Sequence, residues 1–287
     1  MDQRVIDLYN LYIHGSMPRR DFLQRLTGIA GSAAAAMSLL PLIECNYAGA
    51  AQVTPDHADL DTSYATYPGA RGPVRAYVAK PKSAGQALPG VLVIHENRGL
   101  NAHIEDVARR AALAGYLAVA PDGLSVAGGA PADQEKARDL FAATDRAVID
   151  ADVIAGIGFL AGRKDCSGKI GAVGFCYGGG IALQCAATRP EIGAAVAFYG
   201  AALPPEKVAN VKAALAMHYA GKDEHIDAGI TDFRNALDAH EIAYSLNMYP
   251  GTQHGFHNDT SEGRYDAVAA KLAWARTIAF FDHYLKT

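Results

Sequence analysis

The run Gly174-Phe175-Cys176-Tyr177-Gly178-Gly179-Gly180 constrains the folding of this chain more than any other segment. Before it, Lys169-Ile170-Gly171-Ala172-Val173 reads as a short buried strand. After it, Gly179 to Thr188, with Ile181, Ala182, Leu183 and Cys185, reads as a helix. Strand, tight turn and helix are the setting of a G-x-S-x-G nucleophile elbow, with cysteine where serine is usual. Glycines at 174 and 178 allow the turn because they bring no Cβ to clash, and the tip side chain stays exposed. A thiol at that tip meets the N-terminus of a helix, where free N–H groups and the dipole favour a thiolate. The plain alternative for such a cysteine is a small residue filling a turn, so its partners decide.

Two later segments supply them. Ala213 to Tyr219 is apolar enough for a buried strand and runs into Gly221-Lys222-Asp223. Ala243 to Tyr249 alternates like a strand and leads through Pro250-Gly251-Thr252-Gln253 to His254. Nucleophile, acid, then histidine, each after its own strand, is the chain order of an α/β-hydrolase. The rest of the chain agrees with an α/β fold: a mostly parallel central sheet with helices on both faces. Thr62–Tyr67 and Val74–Lys80 predict an antiparallel hairpin; strands follow at 91–95, 116–120, 169–175, 194–199, 213–219 and 243–249. Helices are expected over 102–115, across 132–162, and near 227–240 and 263–285. In such sheets ligands bind beyond the carboxyl ends of the strands, where Cys176, Asp223 and His254 all fall.

From about residue 60 onward the chain resembles the dienelactone hydrolases, in Gly-Phe-Cys-Tyr-Gly-Gly, in Gly221-Lys222-Asp223 and in His254-Gly255-Phe256. A fourth matching element is His95-Glu96-Asn97-Arg98-Gly99-Leu100, just after the strand Val91–Ile94. The resemblance implies a Cys176–His254–Asp223 triad that cleaves a small-molecule ester or lactone through a thioester, with no cofactor. It implies that Glu96 contacts the resting thiol and that the backbone N–H groups of Asn97 and Tyr177 form the oxyanion hole. The alternative for Glu96 is a helix-capping or surface carboxylate. A rival function is a non-enzymatic thiol redox sensor on the same scaffold, with Cys176 as the reactive group.

The chain departs from the family where the substrate carboxylate would be held by arginines. His254 is followed by Gly255-Phe256-His257-Asn258-Asp259, with no arginine until Arg264, and the loop after Ala120 also lacks one. Arg98 stands alone as a basic residue beside a catalytic segment; it is either a substitute anchor or the partner of a surface acid. Neutral short esters are therefore expected to be better substrates than an anionic lactone, since an unpaired buried carboxylate is costly.

Composition narrows the remaining classes. Half the residues are hydrophobic and the formal charge is −4, with no basic run, which argues against a nucleic-acid partner. The four cysteines, at 45, 166, 176 and 185, are too scattered for a disulfide framework or a zinc site, and no metal is expected. Gly156-Ile157-Gly158-Phe159-Leu160-Ala161 fits the letters of a dinucleotide fingerprint but lies inside a helical stretch, where it cannot cradle a phosphate.

Residues 1–50 form a separate segment, ahead of a hydrolase domain at 51–287. Arg19-Arg20-Asp21-Phe22-Leu23 resembles a twin-arginine export motif, followed by an uncharged apolar run and the small residues Ala48-Gly49-Ala50. That reading places the mature protein in the periplasm without a stable membrane span, the run being too diluted with alanine and glycine. The other reading is cytoplasmic, with an uncleaved helical arm whose amphipathic spacing (Val5, Ile6, Leu8, Tyr9, Tyr12, Ile13) packs on the domain or a partner.

Overall fold

The computed structural model describes residues 1–15, 17–44 and 51–287. Cys45 and the Ala48-Gly49-Ala50 pattern lie outside the described residues. The N-terminal segment folds as α1 (Gln3–His14), α2 (Arg19–Ala30) and α3 (Ala33–Ile43). Gly31, in the left-handed region at φ 81°, ends α2, and the Ser32 hydroxyl caps α3 by accepting from the Ala35 N–H. The two helices meet at 109°, and no single helix among the described residues is long and apolar enough to cross a membrane.

The domain opens with the expected hairpin, β1 (Leu60–Pro68) and β2 (Pro73–Pro81), with Tyr67 opposite Val74. Then come β3 (Leu88–Ile94), α4 (Ala102–Leu113), β4 (Leu117–Pro121), α5 (Gln134–Ala143), α6 (Arg146–Ala161), β5 (Cys166–Phe175) and α7 (Tyr177–Thr188). The chain finishes with β6 (Ile192–Phe198), α8 (Pro205–Val208), β7 (Ala214–Lys222), α9 (Glu224–Asp227), α10 (Ile230–Ala239), β8 (Tyr244–Gln253) and α11 (Ala267–Leu285). The eight strands form one sheet in the order β1-β2-β4-β3-β5-β6-β7-β8. The first two pairings are antiparallel and the rest parallel.

The continuous apolar strands are explained by burial on both faces. Along β3, Leu92 and Ile94 join the core beneath α6, α7 and α10, while Val91 and Val93 join the core beneath α4 and α11. Gly156 belongs to this packing: a Cβ there would lie 2.8 Å from Leu92 Cδ1, so its glycine brings α6 close to the sheet. The helix expected from residue 263 begins at Ala267, where the Asp266 carboxylate accepts from the Ala269 N–H. Residues 254–266 are thereby left as a turn-rich loop over the carboxyl ends of the strands.

Three apolar cores are present among the described residues. The third lies within the N-terminal helices and comprises Val5, Leu8, Tyr9, Tyr12, Ile13 and Phe22 with parts of α2 and α3. The Tyr12 and Phe22 rings stack with centroids 4.3 Å apart.

Candidate active site

The elbow forms because β5 must turn into α7 within one residue. Cys176 takes that turn at φ 55°, ψ −115°, a region costly for a side-chain-bearing residue and held here by the surrounding backbone. Its N–H donates to the Phe198 carbonyl at 3.0 Å, and its own carbonyl accepts from Gly179 at 3.0 Å. A Cβ on Gly174 would stand 1.8 Å from the Gly178 oxygen, and one on Gly178 would stand 2.4 Å from the Ile94 oxygen. Backbone cannot retreat as a flexible side chain can, so Gly178→Ala is expected to cost at least about 1–3 kcal/mol. Thermal denaturation should show a lowered midpoint; an unchanged one would mean that the elbow tolerates a Cβ.

Asp223 follows β7 and His254 follows β8, one strand further along the sheet. His254 Nδ1 lies 2.6 Å from Asp223 Oδ2, with both residues buried. Burial works against an imidazolium at His254. The negative charge of Cys176, together with the Asp223 hydrogen bond, outweighs that penalty and raises His254 to about 10. Asp227, close to Asp223, is pushed up to about 6 by burial and by the Asp223 charge, so the acid facing the histidine is Asp223. Tyr199, just past β6 at φ 39°, packs its ring 4.9 Å from that of His254.

Glu96 and Asn97 stand at the carboxyl end of β3, beside the elbow. A buried histidine sets their position: His95 Nδ1 reaches the Glu96 carbonyl at 2.5 Å and Nε2 accepts from the Gly123 N–H at 3.0 Å. The Glu96 carboxylate is buried rather than capping a helix or facing solvent. It accepts from Asn258 Nδ2 at 2.9 Å and from the Tyr199 hydroxyl at 3.5 Å. Tyr177 turns its side chain away, its hydroxyl donating to Asp150 at 2.7 Å, which leaves its backbone at the elbow.

Cys176, His254, Glu96, Asn97 and Arg98 line one small cavity of about 10 Å³, together with Arg264 and, from α1, Ile13. Arg98 is 3% exposed and donates to the Asn97 side-chain oxygen at 3.0 Å, so it is a buried residue of the cavity. The expectation that Arg98 is alone beside the catalytic segments is corrected by Arg264. Gly255, at φ 82°, turns the loop back; Ser261 accepts from Arg264 Nε at 2.9 Å, and the guanidinium packs against Gly255. Arg264 lies ten positions after His254 in sequence, and the turn closes that gap. Tyr199, Asn258 and Ile13 also carried no local signal; each arrives through the fold.

The fold agrees with comparisons to known proteins. A family model described as "Dienelactone hydrolase family" matches residues 74–285, and one described as "YqhI-like" matches residues 1–31. The chain is 32% identical over 246 residues to a Salmonella typhi protein named "Putative carboxymethylenebutenolidase", covering 80% of this chain and 90% of that one. It is 50% identical over 107 residues to the Escherichia coli "Putative hydrolase fragment YghX", covering 37% of this chain and 92% of the fragment. A solved structure from Klebsiella pneumoniae, titled a "Putative Dienelactone Hydrolase", superposes with a TM-score of 0.70 at 29% identity, covering 78% of this chain and 99% of its own. The chain belongs to the dienelactone hydrolase family, and is a hydrolase on the α/β-hydrolase fold.

Proposed function

We propose that this hydrolase cleaves a small ester or lactone bearing a carboxylate, with Cys176 as nucleophile, through a thioester. The observation that carries the reading is the shared cavity in which Cys176 and His254, the latter held by Asp223 at 2.6 Å, face two guanidinium groups. The Cys176 sulfur attacks the carbonyl carbon, and the oxyanion is met by the N–H groups of Asn97 and Tyr177. The tetrahedral intermediate collapses to a thioester as the His254 imidazolium gives its proton to the leaving oxygen. Water then attacks the thioester with His254 as base, releasing the acid and restoring the thiol. Glu96, fixed by Asn258 and Tyr199, is the carboxylate placed to hold the resting thiol.

Arg98 and Arg264 at the cavity support a carboxylate-bearing substrate in place of the neutral esters expected from sequence. Guanidinium charges in a closed, poorly solvated cavity favour an anion and match a carboxylate in geometry. Arg264→Ala is expected to lower kcat/KM for a carboxylate-bearing lactone by about 10²-fold, and much less for a neutral aryl ester. Equal losses on both substrates would remove the anchor role.

For residues 1–44 we propose retention as a helical arm rather than cleavage on export. Arg19, the first arginine of the export-like pair, is 2.7 Å from Glu135 on α5, and the arm has its own buried core. Replacing Arg19 and Arg20 by lysine should leave cell fractionation and the mature N-terminus unchanged. Accumulation of an uncleaved precursor would support the twin-arginine reading and a periplasmic location instead.

A further inference from the structure

The roof of the catalytic cavity comes from the N-terminal arm, not from the hydrolase domain. Ile13 lines the cavity, and its carbonyl accepts from Asn97 Nδ2 at 2.7 Å, beside the proposed oxyanion site. The Tyr9 hydroxyl accepts from Arg98 Nη2 at 3.4 Å, while the Arg264 guanidinium lies 5.1 Å from the Tyr9 ring centroid. Both arginines of the cavity are thus in contact with one arm residue. Beneath this roof the cavity measures about 10 Å³, on the order of the space for one water molecule.

The arm is packed as a unit. Its apolar core is separate from the two sheet cores, so lifting it exposes no sheet face. Much of its attachment is polar. Glu135 on α5 accepts from the Tyr12 hydroxyl and pairs with Arg19 at 2.7 Å. Gln3 and Gln253 exchange amide hydrogen bonds at 3.0 and 2.6 Å, and Gly263 donates to the Leu42 carbonyl at 2.7 Å. Polar contacts of this kind exchange readily with water, whereas a continuous apolar interface would not.

We propose that the arm is the substrate lid of this enzyme, with Ile13 and Tyr9 as specificity-determining residues that limit the size of the acyl group beneath it. The inference deepens the assignment of Cys176 as nucleophile and rests on it for turnover, but access to the thiol can be read without turnover. Two measurements on the full-length protein test it. The first is the kcat/KM ratio of p-nitrophenyl octanoate to p-nitrophenyl acetate in wild type, Ile13→Ala and Glu135→Ala. The second is alkylation of Cys176 by iodoacetamide and by fluorescein maleimide, each rate normalised to free cysteine and resolved by peptide mass spectrometry.

Wild type should favour acetate and should exclude the bulky maleimide relative to iodoacetamide. Ile13→Ala should shift the ester ratio toward octanoate by about tenfold, the order of effect of a few methylenes in an apolar pocket. Glu135→Ala, remote from the thiol, should speed maleimide labelling about tenfold by releasing the latch. If Ile13→Ala melts the arm, seen as lost helical circular dichroism, the same shift is expected because the roof is gone. Maleimide labelling of wild type as fast as iodoacetamide, or both variants leaving size selectivity and labelling unchanged, would overturn the lid. Absence of ester turnover in every variant, with size-selective labelling retained, would overturn the nucleophile assignment and leave the lid standing.

Discussion

Cys176→Ala will lower kcat for ester hydrolysis by about 10⁴-fold or more while leaving the fold intact, the scale of loss when a nucleophile is removed from a triad. One equivalent of iodoacetamide should inactivate wild type to the same residual level, with the label on Cys176. The thiol is singled out by position: it tops the elbow and lines the cavity with His254. Cys185 is a poor competitor, because burial pushes its thiol up to about 12 and keeps it protonated. Comparing kcat and single-turnover acylation in the two proteins checks the claim. Substantial hydrolysis by Cys176→Ala would displace Cys176 as nucleophile. Peroxide-sensitive Cys176 without any turnover would favour the redox-sensor role.

Asp223→Asn will lower kcat by between about tenfold and 10⁴-fold, the upper figure being the cost in a serine-based triad. A thiol is easier to ionise than a hydroxyl, so the true cost falls below that limit. The pH profile separates this role from mere packing. His254 is raised to about 10, with the Cys176 charge and the Asp223 hydrogen bond overcoming burial. In the free enzyme the imidazolium therefore persists through neutral pH, and kcat/KM should fall as pH rises through about 10. Removing the Asp223 charge takes away one of the raising causes, so this limb should move to lower pH. The same sign governs stability: the contribution of charged His254 is complete below its ordinary 6.5 and is lost as pH rises through about 10. Glu224→Gln should change neither quantity. An unmoved limb in Asp223→Asn would reassign the orienting acid.

Much of the catalytic framework was legible because its signals are local. The elbow was readable from its glycines, since Gly174 and Gly178 stand where any Cβ would strike backbone. The strands were readable because a parallel sheet buried on both faces demands unbroken apolar runs such as Val91–Ile94. Asp223 and His254 followed, as strand ends at one sheet edge lie together whatever the loops do. Arg264 was not legible. Spacing from His254 suggests distance, yet Gly255 reverses the chain and Ser261 fixes the guanidinium in the cavity. Its entry depends on φ angles and on hydrogen bonds made after folding.

By itself the sequence determined the α/β-hydrolase topology, the order in which Cys176, Asp223 and His254 follow their strands, and the existence of an amphipathic N-terminal helix. Those properties depend on periodicity and on steric limits between near neighbours, which act within a few residues. Only the tertiary structure decided where α1 lies, which arginines enter the site and how little space remains above Cys176. An amphipathic face specifies that one side is buried and says nothing of what covers it. That choice is made by partners far along the chain, such as Asn97 for the Ile13 carbonyl and Glu135 for Tyr12 and Arg19.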